Sequence, residues 1–202
     1  MRHVRQPEDE GLIEKILKLA EQHVTIVAHV IRLGCGRATA YRTVDRLRKE
    51  RRLRSAGRVV MNTAGPPVRA FCNGWKPKRD QLRHEILTTD FLLGYPTAEI
   101  VRGWDVDPHI RPDATMQLDG ITYHIETDTG SESFRRIEKR QKVYSHVNDF
   151  VLYVALSERR LQGLIRHSQQ IQRIALFTTL ERAIADPRGE IWQDCDGRTA
   201  SI

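Results

Sequence analysis

The chain has 202 residues, 40% hydrophobic and 29% charged, enough for one large domain or two small ones with buried cores. No run approaches the ~20 apolar residues of a membrane span, and the first eleven residues are too polar for a secretory signal. The three cysteines are scattered without ligand spacing, so a reduced, cytoplasmic protein is expected rather than a disulfide scaffold or membrane protein. The net charge of +7 is divided unevenly, with +10 over residues 1–80 and −3 over residues 81–202. A basic first third and a slightly acidic remainder suggest two domains, the first electrostatically suited to nucleic acid.

In chain order, apolar residues recur at three and four over residues 11–22 (Leu12, Ile13, Ile16, Leu17, Leu19, Ala20), which predicts an amphipathic helix. Thr25 is expected to cap a second helix over 26–33, and Gly34 to end it in the left-handed region. A third helix over 38–51 turns Ala40, Val44, Leu47 and Tyr41 inward, and its remaining faces are rich in arginine. Two short helices, a tight turn and a basic third helix follow the order of a helix-turn-helix. On that reading Thr39, Arg42 and Thr43 reach base edges and the later arginines, Arg46 among them, are better placed for phosphates, with Arg37 and Lys49 also counted as DNA-binding side chains. Residues 53–55, a turn at Ala56-Gly57 and residues 58–62 read as a wing, with Arg54 and Arg58 near its tip and a returning strand at 70–72. Gly65-Pro66-Pro67 reads as a tight loop within it. The alternative is a small helical domain with a solvated basic face, or a dimerisation module.

The stretch 73–80 holds glycine, proline and charge without an apolar period, which places a domain boundary at 74/75. Beyond it the pattern predicts a helix over 81–94, an extended segment over 98–106, a hairpin, and a helix over 131–147 opened by a Thr129/Glu132 capping box. A strand over 150–156, a helix over 158–170, a strand over 173–178 and a short helix over 180–185 follow. Ile191-Trp192 is an edge-strand candidate, and residues 194–202 are expected to fray. This predicts an α/β fold with a mixed sheet flanked by helices, its buried parallel part formed by 150–156 and 173–178.

The hairpin is the most specific feature of the second domain. Asp119-Gly120 favours a two-residue type I′ turn, which sets Leu118 opposite Ile121, Met116 opposite Tyr123 and Ala114 opposite Ile125. The other face then carries Thr115 opposite His124 and Asp113 opposite Glu126, with Asp128 beyond. Opposed carboxylates destabilise a ladder unless a proton, a basic side chain or a divalent cation compensates. Hard oxygen ligands of this kind suit magnesium or manganese; the bland alternative is a solvated face screened by nearby arginines. His124, on the same face, reads either as a modulator of the acids or as a surface group.

A helix with His84-Glu85, Pro112-Asp113 opening a strand, Glu126-x-Asp128 on the next strand and a helix ending Lys139 to Tyr144 resembles the restriction-endonuclease-like PD-(D/E)XK core. More narrowly, a basic winged helix followed by RPDA, HIETDTG and a K-x-Y ending is similar to the replication-relaxation family of plasmids and integrative elements. The resemblance implies residues 1–74 as a winged helix-turn-helix and 75–202 as a nuclease-like domain. It implies Asp113 and Glu126 as metal-binding acids and Glu85 as the acid kept on the first helix; Asp128, by sharing the acidic face, is a further candidate ligand, and magnesium or manganese the candidate cofactor. The lysine expected two positions after Glu126 is replaced by Asp128, so Lys142 or Lys139 would have to supply the cation of catalysis; Lys142 is equally readable as an exposed surface lysine.

Two functions follow. In one, a winged helix brings a metal-dependent DNA endonuclease to duplex DNA during replication or mobilisation of a mobile element. In the other, a non-catalytic regulator or accessory factor carries a degenerate nuclease fold. Winged helices commonly work in pairs, so a homodimer on two half-sites is compatible with either, as are replication or mobilisation proteins as partners.

Overall fold

The computed structural model describes residues 7–61, 65–103, 111–168, 171 and 173–202, with side chains from residue 10 onward. The chain is mixed α/β and divides into two compact units, Met1–Thr89 and Asp90–Ile202. Among the described residues no helix is long and apolar enough to cross a membrane.

In the first unit α1 (Pro7–Gln22) leads to a two-residue strand β1 (Thr25–Ile26), then α2 (Val27–Arg32) and α3 (Arg37–Lys49). Ile13, Ile16 and Ala20 from α1, Val30 from α2, and Ala40, Val44 and Leu47 from α3 form one buried cluster with Leu53 and Phe71. The apolar spacing at three and four therefore sets how these helices pack. Gly34 turns the chain between α2 and α3 at φ +94°, its N–H bonded to the Ile31 carbonyl. Thr25 is not a helix cap: it pairs with Phe71 as a strand residue, and its hydroxyl bonds the ring of His29. Tyr41, expected inward, is half exposed, while Thr43, expected at base edges, is buried beside Ala40 and Val44.

The helix α3 stops two residues earlier than its periodicity suggests. Arg51 takes the left-handed conformation (φ +58°), the Arg51 N–H bonds the Arg48 carbonyl, and the Arg52 N–H bonds that of Leu47. This is a Schellman ending in which arginine occupies the position that usually carries glycine. Replacing Arg51 with glycine is expected to raise stability by about 0.5–1 kcal/mol, read as a higher urea midpoint at unchanged slope.

Strands β2 (Ser55–Val59) and β3 (Val68–Phe71) complete a three-stranded antiparallel sheet in the order β1-β3-β2. The turn expected at Ala56-Gly57 is instead a bulge inside β2. The register shifts between Ser55 and Gly57, Gly57 sits at φ +139°, and Ala56 drops into the core. The hairpin connection is the longer segment 60–67, of which 62–64 lie outside the described residues. Arg58 is therefore a strand residue, opposite Arg69, and Arg54 precedes the strand. A short 3₁₀ turn at Arg79–Gln81 opens α4 (Leu82–Leu92), whose Leu82 and Ile86 pack with Val24, Ile26, Ala56, Ala70 and Cys72.

The second unit is built on a seven-stranded mixed sheet in the order β10-β9-β8-β7-β6-β5-β4. Its strands are β4 (Glu99–Val101), β5 (Ala114–Leu118), β6 (Ile121–Asp128), β7 (Phe150–Ala155), β8 (Ala175–Thr179), β9 (Trp192–Gln193) and β10 (Thr199–Ala200). The hairpin forms in the expected register, with Leu118 opposite Ile121, Met116 opposite Tyr123 and Ala114 opposite Ile125. Asp119 (φ +52°) and Gly120 (φ +82°) both occupy the left-handed region that a type I′ turn requires. Strands β6, β7 and β8 are mutually parallel, joined by α5 (Phe134–Tyr144) and α6 (Glu158–Arg166), and α7 (Leu180–Ala185) follows β8. Ile137, Tyr144, Leu161 and Leu164 of α5 and α6 pack on Val151, Tyr153, Ala155, Ala175 and Phe177.

Three local expectations differ. Residue 129 does not cap α5, which starts at Phe134: the Thr129 hydroxyl bonds Ser131, and the Glu132 carboxylate pairs with Arg140 instead of turning back on the backbone. The tail does not fray at its end, because Thr199 and Ala200 pair with Gln193 and Trp192, leaving β9 internal and β10 at the edge. The extended segment is found at Glu99–Val101; residues 104–110, including His109, and Asn62 lie outside the described residues.

Candidate functional site

Two places bring functional side chains together, one in each unit. In the first, α3 presents Thr39, Arg42, Arg46 and Lys49 at successive spacings of three, four and three, which puts them on one stripe of the helix. Thr39, Arg42, Thr43 and Arg46 line a shallow groove on that surface. Thr43 lies at its floor and is only 5% exposed, whereas Arg42 and Lys49 are exposed. Arg37 lies 5.9 Å from the Tyr41 ring centroid, which keeps an aromatic at the same exposed surface. The nearby acids are spoken for, Asp45 by Arg48 at 2.9 Å and Glu50 by Arg52 at 3.8 Å. On the sheet, Arg58 and Arg69 face each other across the β2–β3 ladder, both exposed. Like charges so placed cost stability, and a polyanion would reverse that cost.

In the second unit the hairpin's polar face is buried. His124, Glu126 and Asp128 alternate on β6, and Tyr153 of β7 lies beside Glu126 in the ladder. A strand-helix-strand connection between parallel neighbours folds its helix onto the sheet, and here α5 covers this face. Glu126 and Asp128, read from sequence as metal ligands or else as part of a solvated face, are thus only 5% and 9% exposed, and His124 only 2%.

Each acid has its own partners. Glu126 accepts the Tyr144 hydroxyl at 2.7 Å on Oε1 and meets Arg140 Nη2 at 3.3 Å on Oε2. Arg140 also reaches Glu132 at 2.9 Å, so one guanidinium bridges two carboxylates. Burial works against the Arg140 charge, but Glu126 and Glu132 outweigh it and raise its affinity for the proton. Burial, reinforced by the Glu126 charge, pushes the Tyr144 and Tyr153 hydroxyls well above their ordinary range, so both stay protonated. Asp113 lies next to Glu126 and anchors the strand end: its Oδ2 accepts the Thr127 N–H at 2.7 Å. Asp128 accepts Arg160 Nε on Oδ2 and the Gly130 N–H on Oδ1, both at 2.7 Å. Arg160 in turn stacks 4.2 Å from the Phe134 ring centroid and donates to the Glu132 carbonyl.

Of the residues read from sequence as one metal site, the structure gathers Asp113, Glu126 and Asp128 in the second unit, and places Glu85 on α4 in the first. Among the described residues no group of three or more His, Cys, Asp or Glu side chains is arranged to hold a metal ion. Asp113 and Glu126 are hard oxygen donors, but Glu126 already has both oxygens engaged, so this arrangement does not fit a cation without displacing Arg140. Lys142 lies on the exposed side of α5, and the cation at Glu126 is Arg140. Arg140, Gln141, Tyr144 and Arg160 were all missed as site residues. The signal for three of them was present: on α5 they share the inward stripe of Ile137, the side that must cover an acidic strand face.

His124 bonds Thr115 through Nδ1 at 3.2 Å and approaches Asp149 through Nε2 at 3.3 Å. Burial lowers its pKa, and the Asp149 charge only partly offsets this. A lowered folded-state pKa means the neutral ring is favoured on folding, so its contribution is present above the unfolded value and lost as pH falls through the folded one. Urea melts between pH 7.5 and 5 are expected to show stability decreasing below about pH 6.5. In His124→Gln that slope should flatten.

Compared with known proteins, the chain matches no protein-family model and no curated protein.

Proposed function

We propose that this is a double-stranded-DNA-binding protein in which α3 acts as the recognition helix of a winged helix-turn-helix. The observation that carries the reading is the Thr39-Arg42-Arg46-Lys49 stripe, which combines short polar and basic side chains on one helix face above a groove. Such a face suits base edges near the helix N-terminus and phosphates further along. The opposed Arg58 and Arg69, and an arginine held at the left-handed end of α3, add charge where it costs stability.

The second unit is read as a nuclease-like fold serving as an accessory module. Supporting this, the Glu126 carboxylate is neutralised from within by Arg140 and Tyr144. The likeness of RPDA and HIETDTG to the replication-relaxation family favours a role in replication or mobilisation of a plasmid or other mobile element. A second reading, metal-dependent cleavage, draws on one observation: Asp113 is bonded to β6 immediately beside Glu126, bringing two carboxylates together.

Titration of a fluorescent random-sequence duplex over a salt series tests the first reading. Binding is expected to weaken steeply, with log K falling linearly against log salt concentration. A chain that does not bind duplex at about 50 mM salt would remove it. Calorimetric titration of magnesium and manganese, followed by incubation with supercoiled DNA, separates the two readings: heat and nicking support cleavage, and neither supports the accessory role.

A further inference from the structure

The second unit, Asp90–Ile202, carries a net charge of −3, yet most of its exposed cations without an ion pair among the described residues stand on two helices, Arg136 on the flank of α5 and Arg173 before β8 lying outside the ridges described next. Arg140, Arg160, Arg182, Arg188 and Arg198 each hold a carboxylate. Arg135, Lys139 and Lys142 on α5, and Arg159 and Arg166 on α6, are exposed and, among the described residues, form no ion pair.

Their placement is regular. On α5 the three cations are separated by four and three residues, opposite the buried Ile137, Gln141 and Tyr144, so they form a single outward ridge. On α6 the two arginines are seven apart, opposite the buried Leu161 and Leu164, and form a second ridge. Gln141 bonds Ser168 at 2.6 Å, Glu138 bonds His167 at 2.5 Å, and Arg160 stacks on Phe134, so the two helices lie side by side on the same sheet face. Each ridge is about 10 Å long at 1.5 Å per residue, and packed helices lie about 8–10 Å apart. Five cations therefore line a patch about 10 Å on a side, a length over which one nucleic-acid strand carries about three phosphates.

Neighbouring like charges at three and four residues on a helix destabilise it, and this unit has acids to spare. The Glu158 carboxylate, at the start of α6, is drawn to Arg182 rather than to either ridge. We propose that the outward ridges of α5 and α6 form a second nucleic-acid contact surface, binding the sugar-phosphate backbone without reading sequence. It is independent of α3 and uses none of the residues of the Glu126 cluster.

The test uses the full-length chain and a 30-base-pair random-sequence duplex, with fluorescence anisotropy over a salt series. One variant replaces Arg135, Lys139, Lys142, Arg159 and Arg166 with glutamine; a control replaces the paired Arg188 and Arg198. All seven positions are at the surface, and circular dichroism with a thermal melt checks that each variant folds. The five-site variant is expected to bind at least tenfold more weakly at low salt, with a salt slope shallower by about two to four, since each lost phosphate contact removes about 0.9. The control should match the wild type. Unchanged affinity and slope in the five-site variant would overturn the proposal, whatever becomes of the α3 reading. So would a result in which the five residues are needed for binding phosphatidylserine vesicles but not duplex. Conversely, duplex affinity that falls in the five-site variant and stays intact in an Arg42→Glu, Arg46→Glu variant would uphold this surface and remove α3 as recognition helix.

Discussion

Reversing the charge of Arg42 and Arg46 together is expected to lower duplex affinity at least a hundredfold at about 100 mM salt and to reduce the salt slope by about two. The size of the effect follows from where these residues stand. They lie one turn apart on the α3 stripe, on the C-terminal side of Thr39, and line the same groove. Replacing two cations with two anions removes two counterion-releasing contacts and puts carboxylates against phosphate. Arg42 is exposed and its reversal should leave the fold intact; Arg46 is partly buried, so a companion variant reverses Arg42 and the exposed Lys49. Electrophoretic or anisotropy titration of both, with a urea melt as a folding check, gives the answer. Wild-type affinity in both would remove the recognition-helix assignment. Thr43 makes the complementary control, because it is buried against Ala40 and Val44. Thr43→Val should alter stability by about 0.5–1.5 kcal/mol, the worth of one hydroxyl hydrogen bond, and leave the salt slope unchanged.

The elements that could be read from the sequence are those whose signal is local. Asp119-Gly120 dictates a turn in which both residues have positive φ, and that turn fixes every pair across the β5–β6 ladder. The apolar runs of β7 and β8 announce buried strands, and they are two of the three parallel strands, the hairpin strand β6 being the third. What escaped depends on contacts far apart in sequence. β1 is two residues long and exists because Thr25 and Ile26 can pair with Phe71 and Ala70, forty-four or more residues away. The bulge at Ala56 looks like a turn because Ala-Gly breaks the strand period, yet the partner strand β3 absorbs the extra residue. The site was legible in part for the same reason. Asp113, Glu126 and His124 share a face by strand alternation alone, but that α5 buries the face follows from the crossover, which the hairpin does not encode. Once the helix is laid on it, a basic and a hydroxylic side chain at inward positions become necessary. Arg140 and Tyr144 fill them, while Lys142, the more familiar catalytic residue type, turns to solvent.

Removing the Arg140 side chain is expected to cost about 3 kcal/mol of stability, and the partner substitution distinguishes the reasons. In Arg140→Ala, Glu126 remains buried beside the Tyr144 hydroxyl without the guanidinium charge, and Glu132 loses its ion pair with Arg140. In Glu126→Gln, Arg140 keeps Glu132 and the amide still accepts from Tyr144, so the loss should be nearer 1 kcal/mol. If the pair is coupled as the 3.3 Å contact indicates, the double variant should be more stable than Arg140→Ala alone, because the uncompensated carboxylate has gone. Additive losses would mean that Arg140 acts through Glu132 or through packing. The same variant separates the two functional readings. With Arg140 removed, Asp113 and Glu126 retain two carboxylates and lose the guanidinium between Glu126 and Glu132, and a divalent cation could then meet the charge from outside. A thermal melt of Arg140→Ala that rises in millimolar magnesium or manganese, and does not when Glu126 is also glutamine, would show that arginine stands where a metal can stand. A melt indifferent to both cations would mean that this buried network needs its own arginine, and that the acids serve the fold rather than phosphodiester chemistry.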